Sequence, residues 1–232
     1  MTKAEPKKLI WRYTSIPATL DVLCRKQIAL LDPENWDDRN DRYYMNLYKD
    51  YKKIRGLYGL CASTVTETYH HWRVFTKSEN GACIVFNKDR LETRLKTIPD
   101  IRFGNINYKT LNQMETHNTD NKVIPALLPF LKRKGFKDEA EYRIIAENNS
   151  EQSSTYPVNI DLGCIERITI NPWLPKSIAE SVIEAMNKVN HETSIDIGKS
   201  TLIDNTRWKR AGDEVIKRKK RSNIKTTLKK SV

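Results

Sequence analysis

Apolar and polar residues alternate over Leu9-Ile10-Trp11-Arg12-Tyr13-Thr14, and the period of two predicts a strand there. Ser15 as a helix cap and Pro17 as an early helical proline then open a short helix carrying Leu20, Val22, Leu23 and Cys24. A second strand is predicted over 28–31 and a turn-rich acidic loop over 32–41. Beyond it, Tyr43, Met45, Leu47, Tyr48, Tyr51 and Ile54 suit a helix with a broad aromatic face. A buried strand over 57–62, a helix over 67–76 and a strand over 82–86 follow.

The second half reads as a helix over 88–96, a strand over 101–108 and a polar loop over 112–121. Residues 123–134 read as a helix interrupted by Pro125 and Pro129. Three β-rich segments come next, over 142–146, 156–161 and 165–170. Residues 177–189 then make an amphipathic helix with Ile178, Val182, Ile183 and Met186 on one face. Strands and helices mix without a regular βαβ rhythm and without an internal repeat. The fold expected is α+β, with a mixed or split sheet and flanking helices.

Charge divides this picture in two. The 232 residues carry 41 Lys plus Arg against 29 Asp plus Glu, a formal charge of +12, of which the segment from Lys209 to Val232 alone supplies +8. Residues 1–208 are therefore read as one α+β domain and 209–232 as a basic tail. The tail lacks a hydrophobic period to bury, and Lys217-Arg218-Lys219-Lys220-Arg221 is a dense positive block suited to nucleic acid, DNA or RNA. A merely solvated terminus is the alternative. With 38% hydrophobic residues there is material for a core. No stretch approaches the roughly 18 apolar residues of a membrane span. The start, Met1-Thr2-Lys3-Ala4-Glu5-Pro6-Lys7-Lys8, lacks the apolar region of a secretory signal, so a cytoplasmic protein without a membrane partner is expected.

Cys24, Cys61, Cys83 and Cys164 are widely spaced in apolar runs, and they read as buried reduced thiols rather than a disulfide frame or zinc site. His70 and His71 are adjacent and so point apart, while His117 and His191 stand alone; no metal site is expected. The eight glycines form neither a dinucleotide fingerprint nor a P-loop. Three polar sets remain. Arg12 and Thr14 share a strand face, and Arg12, between Trp11 and Tyr13, either holds a phosphate or a ribose at the sheet's end or is an ordinary surface arginine. Asp37-Asp38-Arg39-Asn40-Asp41-Arg42 serves as helix cap and local ion pairs, as a metal site, or as an ordered active-site loop. In Asp138-Glu139-Ala140-Glu141-Tyr142-Arg143, a strand starting near Glu139 aligns Glu139, Glu141 and Arg143 on one face, a tuned site or a plain salt bridge.

In this order, several segments resemble a bacterial family catalogued as a domain of unknown function (DUF2971-like). They are Trp11-Arg12-Tyr13-Thr14-Ser15, the loop from Pro33 to Asp41, His71-Trp72-Arg73-Val74-Phe75 leading to Gly81-Ala82-Cys83-Ile84-Val85-Phe86, Phe136 to Ile145, and Ser200-Thr201-Leu202-Ile203-Asp204-Asn205. The match spans 9 to about 208, and its layout is similar to ADP-ribosyltransferases, including the DarT-type enzymes that modify nucleic acid. The resemblance implies NAD as substrate. It also implies an Arg on the opening strand for NAD, matched by Arg12, a Ser/Thr cluster on a middle strand, approximated by Ser63 and Thr64, and a catalytic Glu in an E-x-E, matched by Glu139 and Glu141. The middle cluster departs from a strict Ser-Thr-Ser.

On that reading Glu141 stabilises the oxocarbenium-like ribose as nicotinamide leaves, with Glu139 beside it. Arg12, Tyr13, Thr14, Ser63, Thr64, Trp72 and Arg73 hold NAD, with Tyr13 or Trp72 stacking on a ring. The protein is then a toxin or phage-defence effector acting on nucleic acid, with an antitoxin or immunity protein as a further partner. Two alternatives stand beside it. One is a metal-dependent nuclease using Asp37, Asp38 or Asp41 with Glu139 and Glu141, although Glu141-Tyr142-Arg143 lacks the lysine of an E-x-K pair. The other is a non-catalytic nucleic-acid-binding module.

Overall fold

Ser15 ends strand β1 (Leu9–Ser15) and caps helix α1 (Ile16–Arg25), its hydroxyl accepting from the Ala18 amide at 3.2 Å. The helix stops at Lys26, whose left-handed backbone (φ 53°) lets its amide reach the Val22 carbonyl, and β2 (Gln27–Leu31) follows at once. In this computed structural model residues 7–76, 78–119, 124–150, 153–190 and 193–230 are described, apart from the side chains at 117–119 and 220–230. His191 and the side chains of His117, Lys220 and Arg221 lie outside the described residues.

Asp38 caps α2 (Arg39–Lys52), accepting from the amides of Asn40 and Asp41, so Asp41 stands in the first helical turn rather than in the expected loop. Strand β3 (Gly56–Ser63), helix α3 (Tyr69–Phe75), strand β4 (Gly81–Asn87) and helix α4 (Lys88–Leu95) complete the first half as the periodicity predicts. The strand expected over 101–108 is two strands, β5 (Ile101–Asn105) and β6 (Asn107–Lys109).

Two expectations fail in the next stretch. The polar segment read as a loop over 112–121 is helix α5 (Leu111–Thr119), started by Thr110 and Gln113, each of which accepts the other's amide hydrogen at 3.2 and 3.0 Å. The helix expected over 123–134 is instead a 3-10 segment, Pro125–Phe130, and a short strand, β7 (Leu131–Arg133). Pro129 removes a backbone donor, and an α-helix cannot pass it unbroken. After β8 (Glu141–Asn148) come β9 (Thr155–Asn159), β10 (Ile165–Ile170) and α6 (Lys176–Val189). A strand without a sequence counterpart, β11 (Asp196–Lys199), follows.

The fold is mixed α+β. Nine strands form one sheet in the order β11-β10-β4-β1-β3-β2-β9, with β8 on the other edge of β3 and β5 beyond it. The sheet is antiparallel except for β10 with β11, and β6 pairs β7 in a separate parallel ribbon. Helices cover both faces. On one face Val22 and Leu23 of α1, Leu91 and Leu95 of α4 and Ala179 and Met186 of α6 pack into a continuous core with Ile10, Ile84, Leu60 and Ile144. On the other face the apolar packing is in two pieces, Tyr13, Trp72, Cys83 and Val85 under α3, and Met45, Tyr48, Leu57 and Ile145 under α2. Polar side chains occupy the interval between them.

The basic tail is not irregular: α7 (Thr206–Lys230) runs through nearly all of it. Asn205 starts it by accepting the Trp208 amide at 3.0 Å, and Lys217 pairs with Glu214 at 2.9 Å. Its described side chains are exposed, Trp208 at 82%. The helix rests on the helix-forming tendency of Lys and Arg, not on burial. Among the described residues no helix is long and apolar enough to cross a membrane.

Candidate active site

The Glu-Ala-Glu segment does not run as one strand. A 3-10 turn, Lys134–Glu139, ends in Ala140 with a left-handed backbone (φ 45°), and β8 begins only at Glu141. A non-glycine residue in that region carries a conformational cost of about 1–2 kcal/mol, which neighbouring contacts must offset. The contacts come from the end of β3. Ser63 donates its hydroxyl hydrogen to the Glu139 carbonyl at 2.8 Å. Thr64 donates both its amide, at 2.8 Å, and its hydroxyl, at 2.9 Å, to the Ala140 carbonyl. On the other side the Glu141 amide donates to the Tyr108 hydroxyl at 2.8 Å.

The two glutamates so held meet Asp41, Lys132 and Arg143 in a buried charge cluster. Arg143, 0% exposed, donates from Nη1 and Nη2 to the two oxygens of Asp41 at 2.7 and 2.6 Å, and from Nε to Glu141 Oε1 at 2.7 Å. Nη1 also reaches the Pro129 carbonyl at 2.8 Å, and the guanidinium lies 4.8 Å from the centre of the Trp36 ring. Lys132 Nζ lies 2.6 Å from Glu139 Oε2, 3.1 Å from Glu141 Oε2 and 3.7 Å from Asp41 Oδ2. Three carboxylates share two cations.

Burial pushes the Glu141 carboxyl up, but the charges of Arg143 and Lys132, with hydrogen bonds from Arg143 and the Cys61 thiol, outweigh it and hold the group at about 2. For Glu139 and Asp41 burial wins and both are raised, against the pull of Lys132 and of Arg143 respectively. Burial opposes the charge on Lys132, yet Glu141 and Glu139 raise it above the ordinary lysine range. At neutral pH Glu141 is thus a desolvated carboxylate fixed in its ionised form, 4% exposed.

Glu141 stands across β3 from a seam in the sheet. β3 and β8 pair along their whole length, from Gly56 opposite Asn148 to Ser63 opposite Glu141, but β1 meets β3 at one position, Trp11 opposite Ser63. Residues directly opposite share a face, so Trp11, Ser63 and Glu141 lie on one side. Tyr13 lies there too by alternation, and Arg12 leaves β1 on the other side. The Arg12 guanidinium turns into the seam and donates to the Cys61 carbonyl at 2.8 Å. Burial lowers its pKa, against the fields of Cys61, Cys83 and Glu141.

Several residues expected to hold NAD have other work. Trp72 is 0% exposed, donates its indole hydrogen to Glu67 at 2.9 Å and packs edge-on against buried Tyr13, with ring centres 5.1 Å apart. Neither ring presents a stacking face. The Ser63 and Thr64 hydroxyls are spent on the Glu139–Ala140 backbone. Arg73 lies over the Trp173 ring at 3.8 Å, beside a cavity of about 160 Å³ lined by Trp72, Thr76 and Asn171. Thr14 is half-buried opposite Ala82. Glu139 is off the strand, and Lys132 rather than alternation brings it to Glu141.

For the carboxylate readings, Asp38 spends Oδ1 on the α2 cap, and its Oδ2 is buried without a hydrogen-bond partner. Among the described residues no group of His, Cys, Asp and Glu is arranged to hold a metal ion. The four cysteines are free as expected, but Cys24 is exposed. His71 is buried, with Nε2 3.1 Å from the Asp138 carbonyl, a second tie on the turn before Glu139.

A cavity of about 210 Å³ adjoins the cluster, with Asp41 and Lys132 in its wall together with Tyr43, Tyr44, Lys109 and Arg133. Lys132, Tyr108 and the partnership of Asp41 with Arg143 escaped the sequence reading. The Asp-Arg alternation after Trp36 suggested pairs within the loop, whereas the partner of Asp41 comes from β8.

A scan against protein-family models finds no match. A search of curated proteins finds none either. Among solved structures the chain is similar to Thermus sp. 2.9 DarT in complex with NAD+, with TM-score 0.43, 11% identity, and 86% of this chain and 98% of that chain covered. It is also similar to the same protein in complex with carba-NAD+ (TM-score 0.41, 10% identity, 86% and 98% covered). A third similar structure is that protein in complex with ADP-ribosylated ssDNA (TM-score 0.40, 9% identity, 86% and 98% covered).

Proposed function

We propose that the protein transfers ADP-ribose from NAD to nucleic acid, with Glu141 as the catalytic carboxylate. The observation that carries the reading is a buried glutamate, held at about 2, at the start of β8 beside the single-bridge seam between β1 and β3. Breaking the bond from ribose to nicotinamide leaves positive charge on the sugar, and a fixed anion in a desolvated site stabilises it without solvent reorganisation. Lys132 serves three carboxylates at once. It yields Glu141 Oε2 to a ribose hydroxyl while staying on Glu139 at 2.6 Å.

Glu139 positions Lys132, and Ser63 and Thr64 position both glutamates through the backbone. Arg12, in the seam, offers a permanently charged donor for pyrophosphate. The exposed basic residues of α7, including Lys217, Arg218 and Lys219, supply affinity for a polyanion. Consumption of NAD and modification of nucleic acid harm the cell that contains them, so the reading extends to a toxin or phage-defence role and a neutralising partner.

The test is incubation of the full chain with NAD and short single-stranded DNA or RNA, following free nicotinamide and the mass of the oligonucleotide. Nicotinamide release together with an ADP-ribose adduct is expected. Intact NAD and unmodified nucleic acid throughout would remove the reading.

A further inference from the structure

The cavity beside the charge cluster has the make-up of a nucleotide subsite, and nothing in the reading above uses it. Its volume, about 210 Å³, falls below the roughly 300–1,000 Å³ of sites that enclose a whole ligand, so it takes part of one. Part of its wall is aromatic and apolar, Tyr43 and Tyr44 from α2 with Leu111 and Met114 from α5, and the rest is polar, including Asp38 and Asp41. Tyr43 is 63% exposed, and its ring centre lies 6.3 Å from that of Tyr44 at 46°, so the two rings are not stacked on each other. Lys109 and Arg133, the last residues of β6 and β7, stand opposite each other in the parallel ribbon and add positive charge to the same cavity.

A flat π-system beside a negative group matches this set. Aromatic and thioether surfaces take the flat part, and the two basic residues take the phosphate. An uncharged aromatic ligand leaves the exposed Arg133 unused, and a bare phosphate leaves the tyrosines unused.

We infer that this cavity binds one nucleobase with its phosphate, the base against Tyr43 and Tyr44 and the phosphate on Lys109 and Arg133. Asp41 and Lys132 line the cavity and also belong to the cluster, where Lys132 Nζ lies 3.1 Å from Glu141 Oε2. A base held there stands one side chain from the proposed catalytic carboxylate. What the bound base is for rests on the proposed transferase reading; the binding itself rests on the cavity.

The experiment is calorimetric titration of the full chain with AMP, UMP, adenosine, NAD and a short single-stranded oligonucleotide, on the wild type and on Tyr43→Ala and Arg133→Ala. Both positions are exposed, so both variants are expected to fold. Tyr43→Ala is expected to weaken both mononucleotides about tenfold, as loss of a stacking partner does. Arg133→Ala is expected to weaken AMP but not adenosine, since only AMP carries the phosphate. Displacement of AMP by NAD alone identifies the cofactor's own nucleotide as the occupant, and displacement by the oligonucleotide alone identifies a base of nucleic acid; either supports the subsite.

Wild-type affinity for every probe in both variants would overturn it, even if nicotinamide release continued. Binding that is lost in the variants while the wild type releases no nicotinamide would uphold the subsite and remove the transferase reading.

Discussion

Arg143 meets Asp41 across 102 residues of sequence in a two-pronged pair, Nη1 to Oδ1 at 2.7 Å and Nη2 to Oδ2 at 2.6 Å, and both side chains are buried. The pair ties the first turn of α2 to the third residue of β8, and Nε of the same arginine orients Glu141. A planar fork makes these bonds at once, which a lysine cannot do.

Truncating Arg143 strands two buried carboxylates. Arg143→Met is therefore expected to cost about 3–5 kcal/mol, the range for breaking a buried pair from one side. Urea denaturation checks it, and an unchanged midpoint would show that the pair does not hold the fold.

The strands and helices with a clear period were legible because burial on one face imposes it. Leu9 to Thr14 and the α6 segment are examples. The site was legible in part. Glu141 and Arg143 share a face by spacing, but the partner of Asp41 depends on sheet order, which spacing does not contain. Lys132 was hidden in a segment whose prolines obscured any period. The helix in the tail was not legible for another reason: α7 forms without burial, so it has no hydrophobic signature to read. The face that Arg12 takes relative to Glu141 depends on the β1–β3 bridge, which spacing does not contain.

Acid should unfold the protein partly through Glu141. Its carboxyl is at about 2 in the fold against an ordinary value of about 4.3, so its contribution is complete above about 4.3 and is lost as pH falls towards 2. Asp41 and Glu139 are raised, so they act with the opposite sign: their ionisation as pH rises opposes folding, and they flatten the loss on the acid side. Denaturation midpoints measured against pH are expected to fall less steeply below about 4.3 in Glu141→Gln than in the wild type. Parallel curves would contradict the assignment of the ionised group.

Ala140 carries strain that glycine would not. Ala140→Gly is expected to stabilise the protein by up to about 1 kcal/mol, and Ser63→Ala, which removes the bond to the Glu139 carbonyl, to destabilise it by about 1 kcal/mol. Thermal unfolding of the two variants gives both signs, and a destabilised Ala140→Gly would count against a strained turn.

Deleting residues 209–232 should leave the stability of the core unchanged, because the described side chains of α7 are exposed. If about five basic residues meet phosphates on a single strand, the slope of log K against log salt should soften by about 3.5, at roughly 0.7 per contact. Equal slopes for full-length and shortened protein would assign the helix no part in binding nucleic acid.

Glu141→Gln tests the central claim most directly, since it keeps the shape of the side chain and removes its charge. Nicotinamide release from NAD in the presence of single-stranded nucleic acid is compared with the wild type at equal folded fraction, fixed by circular dichroism. The expected result is a fall in turnover of about 10²–10⁴-fold with the fold retained. Turnover close to that of the wild type in the folded variant would contradict Glu141 as the catalytic carboxylate.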